Sequence, residues 1–97
     1  MFMDMVKSIR SDLKKAISIL EEEGCKEVYV FGSLAEDRYD EESDIDLAVS
    51  GIRPGEFFRV LGRLLFELDH TVDLIDLDRD DDFSKFLKSE GELVRAS

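Results

Sequence analysis

Ser43-Asp44-Ile45-Asp46-Leu47-Ala48-Val49-Ser50 alternates between two kinds of side chain. Successive side chains of an extended chain point to opposite faces, so Asp44, Asp46 and Ala48 share one side and Ile45, Leu47 and Val49 the other. The apolar side belongs on a core. The opposite side carries two carboxylates whose α-carbons lie ~6.6 Å apart at the usual strand rise. Charges at that spacing repel unless a cation sits between them. Mg2+ suits the position, because it takes oxygen ligands, keeps some waters and is commonly shared with substrate phosphates.

Upstream, Val28-Tyr29-Val30-Phe31 is a β-branched and aromatic run without a polar break, the pattern of a strand buried on both faces. Gly32-Ser33 ends it. A glycine at a strand end lets a phosphate approach the backbone, the helix that follows offers free N–H groups, and Ser33 adds a hydroxyl donor. Leu34 to Arg38 has the length of one helical turn, and Asp40 to Ser43 is a polar loop. Ser33-Leu34-Ala35-Glu36 also matches a capping box, which needs no ligand, and the two roles are compatible. Before this strand, Asp4 can cap a first helix whose apolar stripe is Val6, Ile9, Leu13, Ile17 and Leu20. Gly24 stands where a helix C-terminal glycine belongs.

Downstream, Gly51-Ile52-Arg53-Pro54-Gly55 is a turn with Pro54 placed to open a helix. Phe57, Phe58, Val60, Leu61, Leu64, Leu65 and Leu68 give that helix a broad apolar face, mostly core with room for a partner surface. His70 is an ordinary turn residue. Thr71 to Leu77 forms a third strand. Its Asp73 lies between Val72 and Leu74, where a carboxylate is costly unless something pairs with it. If this strand neighbours the second, Asp73 completes a three-carboxylate metal site with Asp44 and Asp46. Asp76 and Asp78 have the wrong parity to share that face. Asp80 to Asp82 enter the first turn of a last helix, where the dipole favours negative charge. Phe83, Phe86 and Leu87 are its stripe. Residues 89–97 look like a polar tail with a small apolar patch, Leu93-Val94.

The order α-β-(short α)-β-α-β-α predicts an α/β (α+β) layer structure, with a small mixed sheet of about three strands flanked by helices. At 97 residues the chain is one small domain, 1–97, with no repeat or linker. The charge of −11 repels bulk nucleic acid and favours a basic protein partner. No apolar run is long enough to span a membrane and no signal peptide is visible, so the expected location is cytoplasmic. Lone Cys25 reads as a buried or strand-edge thiol. The sequence has no Asn and no Gln while 38% of it is charged, which fits either a thermophilic source or a compositional accident in a short chain. A calcium loop starting at Asp37 or Asp40 fails, because Glu42 or Ile45 occupies the position that needs glycine.

Gly32-Ser33, Ser43-Asp44-Ile45-Asp46-Leu47 and Val72-Asp73-Leu74-Ile75-Asp76-Leu77 together resemble the minimal nucleotidyltransferases of the DNA polymerase β-like superfamily. The resemblance runs from about residue 8 to 95 and includes the ending Phe86-Leu87-Lys88-Ser89-Glu90-Gly91-Glu92-Leu93-Val94. It implies the nucleotidyltransferase fold, with ATP as substrate. It also implies that Asp44 and Asp46 hold two Mg2+ ions, that Asp73 helps one of them and serves the acceptor, and that Gly32 and Ser33 grip the triphosphate. A nucleoside monophosphate would be transferred, by implication AMP to a hydroxyl of a partner protein. Family members are often antitoxins paired with helical HEPN-type toxins, so the resemblance extends to a toxin–antitoxin system and to a homo- or hetero-oligomer. Many members have arginines just after the Gly-Ser; here Leu34 and Glu36 stand there, with Arg38 the nearest cation. That departure keeps open an alternative, a catalytically weak or inactive binding module that neutralises its partner by contact.

Overall fold

Helix α1 (Lys7–Glu22) buries Ile9, Leu13 and Leu20 of the stripe that helical spacing predicts, adds Ala16 and Ile19 to it, and leaves Ile17 partly buried. It stops at Gly24, whose φ of +88° is unfavourable for any residue with a Cβ. The Cys25 N–H returns to the Leu20 carbonyl and the Gly24 N–H to that of Glu21, a pair of bonds that satisfies the last turn. The chain then enters β1 (Glu27–Val30), followed by β2 (Ile45–Ser50), α2 (Phe57–Glu67), β3 (Val72–Asp76), α3 (Asp82–Ser89) and β4 (Val94–Arg95). The computed structural model describes residues 7–36, 40, 42–91 and 93–96. The expected cap Asp4, the first stripe residue Val6, and Asp37, Arg38 and Glu92 lie outside the described residues.

The sheet order is β3-β2-β1-β4. β1 runs antiparallel to both β2 and β4, and β2 runs parallel to β3. The sheet is therefore mixed, and the stretch expected to be a polar tail supplies its fourth strand. Val94 pairs with Val30 and Arg95 with Tyr29, and the Ala96 N–H donates to the Val28 carbonyl. In the described part of the turn after β1, the Glu36 N–H donates to the Gly32 carbonyl at 3.1 Å. Two differences at segment ends are smaller. Pro54 lies in the turn before α2, and the helix begins at Phe57 behind Glu56, whose side chain makes no cap bond. α3 is capped by Asp81, which accepts from the Ser84 N–H at 2.8 Å.

One face of the sheet is fully covered. Ile45, Leu47 and Val49 of β2 pack with Val28 and Val30 of β1, Val72 and Leu74 of β3, and the inner sides of α1 and α2. The other face has a smaller cluster of Ala48, Leu77 and Leu87, with Tyr29, Phe31, Ile75 and Leu93 around it. α3 supplies Leu87 to that cluster, so the face that carries the carboxylates is also part core. The stripes of α2 and α3 are also thinner than expected. Val60 and Leu64 are buried, but Phe58, Leu65, Phe83 and Phe86 are exposed. None of the helices in the described residues is long and apolar enough to cross a membrane.

Two polar devices tie the helices to this core. Asp12 is buried on α1, and its Oδ2 accepts from the backbone N–H groups of Asp69 (2.9 Å) and His70 (2.8 Å) and lies 2.7 Å from His70 Nδ1. One carboxylate thus organises the whole turn leading into β3. At the other end of α1, Glu23 joins Arg59 (2.7 Å) and Arg63 (3.0 Å) of α2, and Arg63 also reaches Glu22 and Glu67. The two guanidinium bonds hold the Glu23 carboxyl down at about 2.

Replacing Asp12 by Ala removes the acceptor of two part-buried backbone N–H donors. This should cost on the order of 2–3 kcal/mol of unfolding free energy in urea titrations, a larger loss than for exposed acidic residues of the same helix. The Glu23 contribution is present above its unfolded value of 4.5 and is lost as pH falls through about 2. Melting curves of wild type and Glu23→Gln should therefore differ by several degrees at neutral pH and converge towards pH 2.

Candidate active site

The parallel pairing of β2 with β3 sets the geometry. Asp46 is the register partner of Asp73, and Leu47 of Leu74. Paired strands lie about 4.8 Å apart, so the two carboxylates project side by side from one face. Asp44 stands one residue before β2 and is exposed, with the parity of Asp46. The Ile45 N–H donates to the Thr71 carbonyl at 2.9 Å, which holds this entrance of β2 against β3. Asp76 pairs instead with Val49, three places further and on the opposite parity. Its Oδ1 accepts from the Asp78 N–H and its carbonyl from the Ser84 hydroxyl, so it stabilises the β3–α3 turn. The choice of Asp73 over Asp76 as neighbour of Asp46 thus follows from the sheet register.

Gly32 closes the other side. Its φ is +68°, and a Cβ there would overlap Asp46 Oδ2. Both the backbone conformation and the space demand glycine. The adjoining Phe31 N–H donates to the Asp46 carbonyl at 3.0 Å, so the end of β1 is fixed to the same residue. Ser33 follows, half-buried. Leu34 and Ala35 then turn inward and are buried, with Leu34 at 1% exposure. Leu34 is therefore a core residue, and an arginine in its place would need to leave the core to reach a phosphate. Exposed Glu36 ends the turn.

Burial pushes the Asp46 carboxyl up to about 6, and the charges of Asp73 and then Asp44 push the same way. Three carboxylates thus share one electrostatic field. Among the described residues, no group of three or more His, Cys, Asp or Glu side chains is gathered closely enough to hold a metal ion by itself. The donor chemistry still fits a hard divalent cation: oxygen ligands, excess negative charge, and space left for oxygens from water or substrate. Cys25 is not part of this chemistry. Burial pushes its thiol up to about 11, where it stays protonated and inert.

Two features near the site were not visible in the pattern of residues. The Asp12–His70 link spans 58 positions, and no local spacing signals it. A cleft of 360 Å3 opens beside Gly32, between the glycine turn and α3. Its walls include Phe83 and Phe86, which helical spacing alone assigns to the core.

The model of the family described as Polymerase beta, Nucleotidyltransferase matches residues 14–96. No protein of curated function matches the chain in sequence. Among solved structures, the chain is similar to a toxin–antitoxin crystal structure with AMP-PNP at 26% identity and a TM-score of 0.64, covering 82% of this chain and 69% of that one. It superposes on a structure described as a minimal nucleotidyltransferase with a TM-score of 0.64 at 24% identity, over 92% of this chain and 96% of that one, a likeness of fold. A nucleotidyltransferase from Sulfolobus solfataricus is 26% identical with a TM-score of 0.51, over 96% and 89% of the two chains.

The raised Asp46 carboxyl has a measurable cost. Its favourable contribution is complete below the unfolded value of 3.8 and is lost as pH rises through about 6. Asp46→Asn should therefore match wild type near pH 4 and exceed it in stability above pH 6, when divalent cations are chelated. The gain is of order 1 kcal/mol once solvent screening of the exposed side is allowed for. Chemical denaturation across pH 4–8 checks this, and an Asn variant less stable than wild type at pH 8 would contradict it.

Proposed function

The chain belongs to the polymerase β nucleotidyltransferase family, and on that premise we propose that it transfers AMP from Mg-ATP to a hydroxyl of a partner protein. The observation that carries the proposal is the contact of Asp46 with Gly32 on one side and its register with Asp73 on the other. It sets a phosphate-accessible backbone turn beside a cluster of carboxylates. In this reading residues 1–97 work as one domain. Gly32 and Ser33 hold the triphosphate through the turn's N–H groups and the serine hydroxyl. Asp44 and Asp46 orient it, and Asp73, at the exposed edge strand, faces the acceptor and takes its proton. With Mg2+ bound, as two ions on Asp44, Asp46 and Asp73, the site gains positive charge at the attacking and leaving oxygens. The acceptor oxygen bonds to the α-phosphorus, the bond from that phosphorus to the bridging oxygen breaks, and pyrophosphate leaves. The high Asp46 carboxyl supports this assignment, since a divalent cation relieves that cluster of charge.

The acceptor is a protein because the chain itself is acidic and small, with a net charge of −11 that disfavours nucleic acid and favours a basic partner. The toxin–antitoxin neighbour supports a toxin as that partner and a hetero-oligomer as the working form; in the finer form of this reading the partner is a HEPN-type toxin and the complex is cytoplasmic. The absence of Asn and Gln agrees with a thermophilic source. A specific observation favours a second reading. Leu34 is locked in the core and Glu36 is exposed beside the glycine turn, so these two positions offer no cation to strengthen a hold on triphosphate. On that reading the protein neutralises its partner by contact alone.

Transfer from ATP labelled at the α-phosphate, in lysate of the source organism, separates the two. Wild type with Mg2+ should label a discrete protein band, and chelation should abolish it. Asp44→Asn and Asp46→Asn should each lower the label by at least about a hundredfold. Label that persists in both variants would refute the assigned site. No label, with a partner complex that survives Asp46→Asn, would establish the contact-only function.

A further inference from the structure

α3 presents two aromatic side chains where core residues are expected. Phe83 is 46% and Phe86 57% exposed, although Ser84 and Leu87 of the same helix are buried. Leaving large apolar rings in water forgoes the burial that normally places them inside. Both rings line the cleft beside Gly32. Phe31 also lines it, and so do Glu36 from the glycine turn and Glu90 from the end of α3. The volume of 360 Å3 is in the range of small-molecule sites.

The chemistry of this lining is selective. Two carboxylates disfavour any phosphate inside the cleft. Aromatic faces favour a flat, neutral π-system, and base–aromatic stacking is tolerant of base identity. Carboxylate oxygens accept hydrogen bonds and reward a donor at the edge of that π-system. The cleft and the carboxylate cluster share Gly32, since Asp46 Oδ2 touches one side of it and the cleft opens on another. A ligand with phosphates at Gly32 would thus have its opposite end within reach of α3.

We propose that this cleft is a nucleobase subsite, in which Phe86 and Phe83 stack a purine and Glu36 and Glu90 accept hydrogen bonds from its exocyclic amino group. The inference rests on the nucleotide-binding reading given above and adds the residues that choose the base. Adenine has the required amino donor and uracil lacks one.

Calorimetric titration with ATP, UTP and inorganic tripolyphosphate, each with Mg2+, tests it on wild type and Phe86→Ala. Wild type should bind ATP about tenfold more tightly than UTP, and Phe86→Ala should lose about tenfold for ATP with tripolyphosphate binding unchanged. The chain has no tryptophan, so Phe86→Trp adds a single fluorophore at the subsite. ATP should quench it and tripolyphosphate should not. Equal ATP affinity in wild type and Phe86→Ala, with tripolyphosphate still bound, overturns the subsite and leaves the nucleotide reading standing. Parallel loss of ATP and tripolyphosphate in Phe86→Ala makes the residue structural and overturns the subsite too. UTP bound as tightly as ATP removes the role of Glu36 and Glu90. Failure of wild type to bind either ATP or tripolyphosphate overturns both readings.

Discussion

The packing of the Asp46 carboxylate against Gly32 constrains everything around it. A carboxylate in the middle of a sheet, partly buried and beside two others, is unfavourable on its own. It persists because its neighbours are fixed by stronger requirements. The other side of the same strand is Ile45, Leu47 and Val49, all fully buried, so β2 cannot rotate to expose Asp46 without tearing out the core. Parallel pairing brings Asp73 alongside, and the positive φ of Gly32 wraps the end of β1 around the carboxylate. Local instability of this kind is typical of a functional site held by a scaffold that over-determines it.

That scaffold is asymmetric by design of its layers. α1 and α2 cover one face of the sheet completely, and the short α3 covers only part of the other. The uncovered remainder carries the candidate site. Its boundary is the small cluster of Ala48, Leu77 and Leu87, and just outside it lie the exposed rings of α3. The polar anchors sit where this arrangement is weakest. Asp12 organises the turn that starts the edge strand carrying Asp73, and the Glu23–Arg59–Arg63 cluster clasps the two helices that back the sheet. Neither anchor touches the aspartate cluster directly, yet the first determines where β3 begins and hence the register on which the site depends.

The catalytic candidates were legible because strand parity is local. A two-residue period sorts Asp44 and Asp46 from Ile45 and Leu47, and Asp73 from Asp76, before any fold is known. The end of α1 was equally legible, since Gly24 is demanded by its own backbone conformation. β4 was not, because a two-residue strand carries no period and exists only where the edge of β1 offers hydrogen bonds. The Phe83 and Phe86 spacing on α3 is the same whether a layer lies above them or not, so the residues alone could not separate core from open surface.

What the sequence by itself determined is therefore the set of elements, the faces they present and the identity of the acidic cluster. These properties depend on neighbours a few residues away. Only the tertiary structure decided that Asp73 meets Asp46 at one level, that Gly32 has no room for a side chain, that Leu34 faces inward and that the α3 rings border a cleft. Each of these is a relation between segments remote along the chain, set by register and layer packing, and none is encoded in any single stretch.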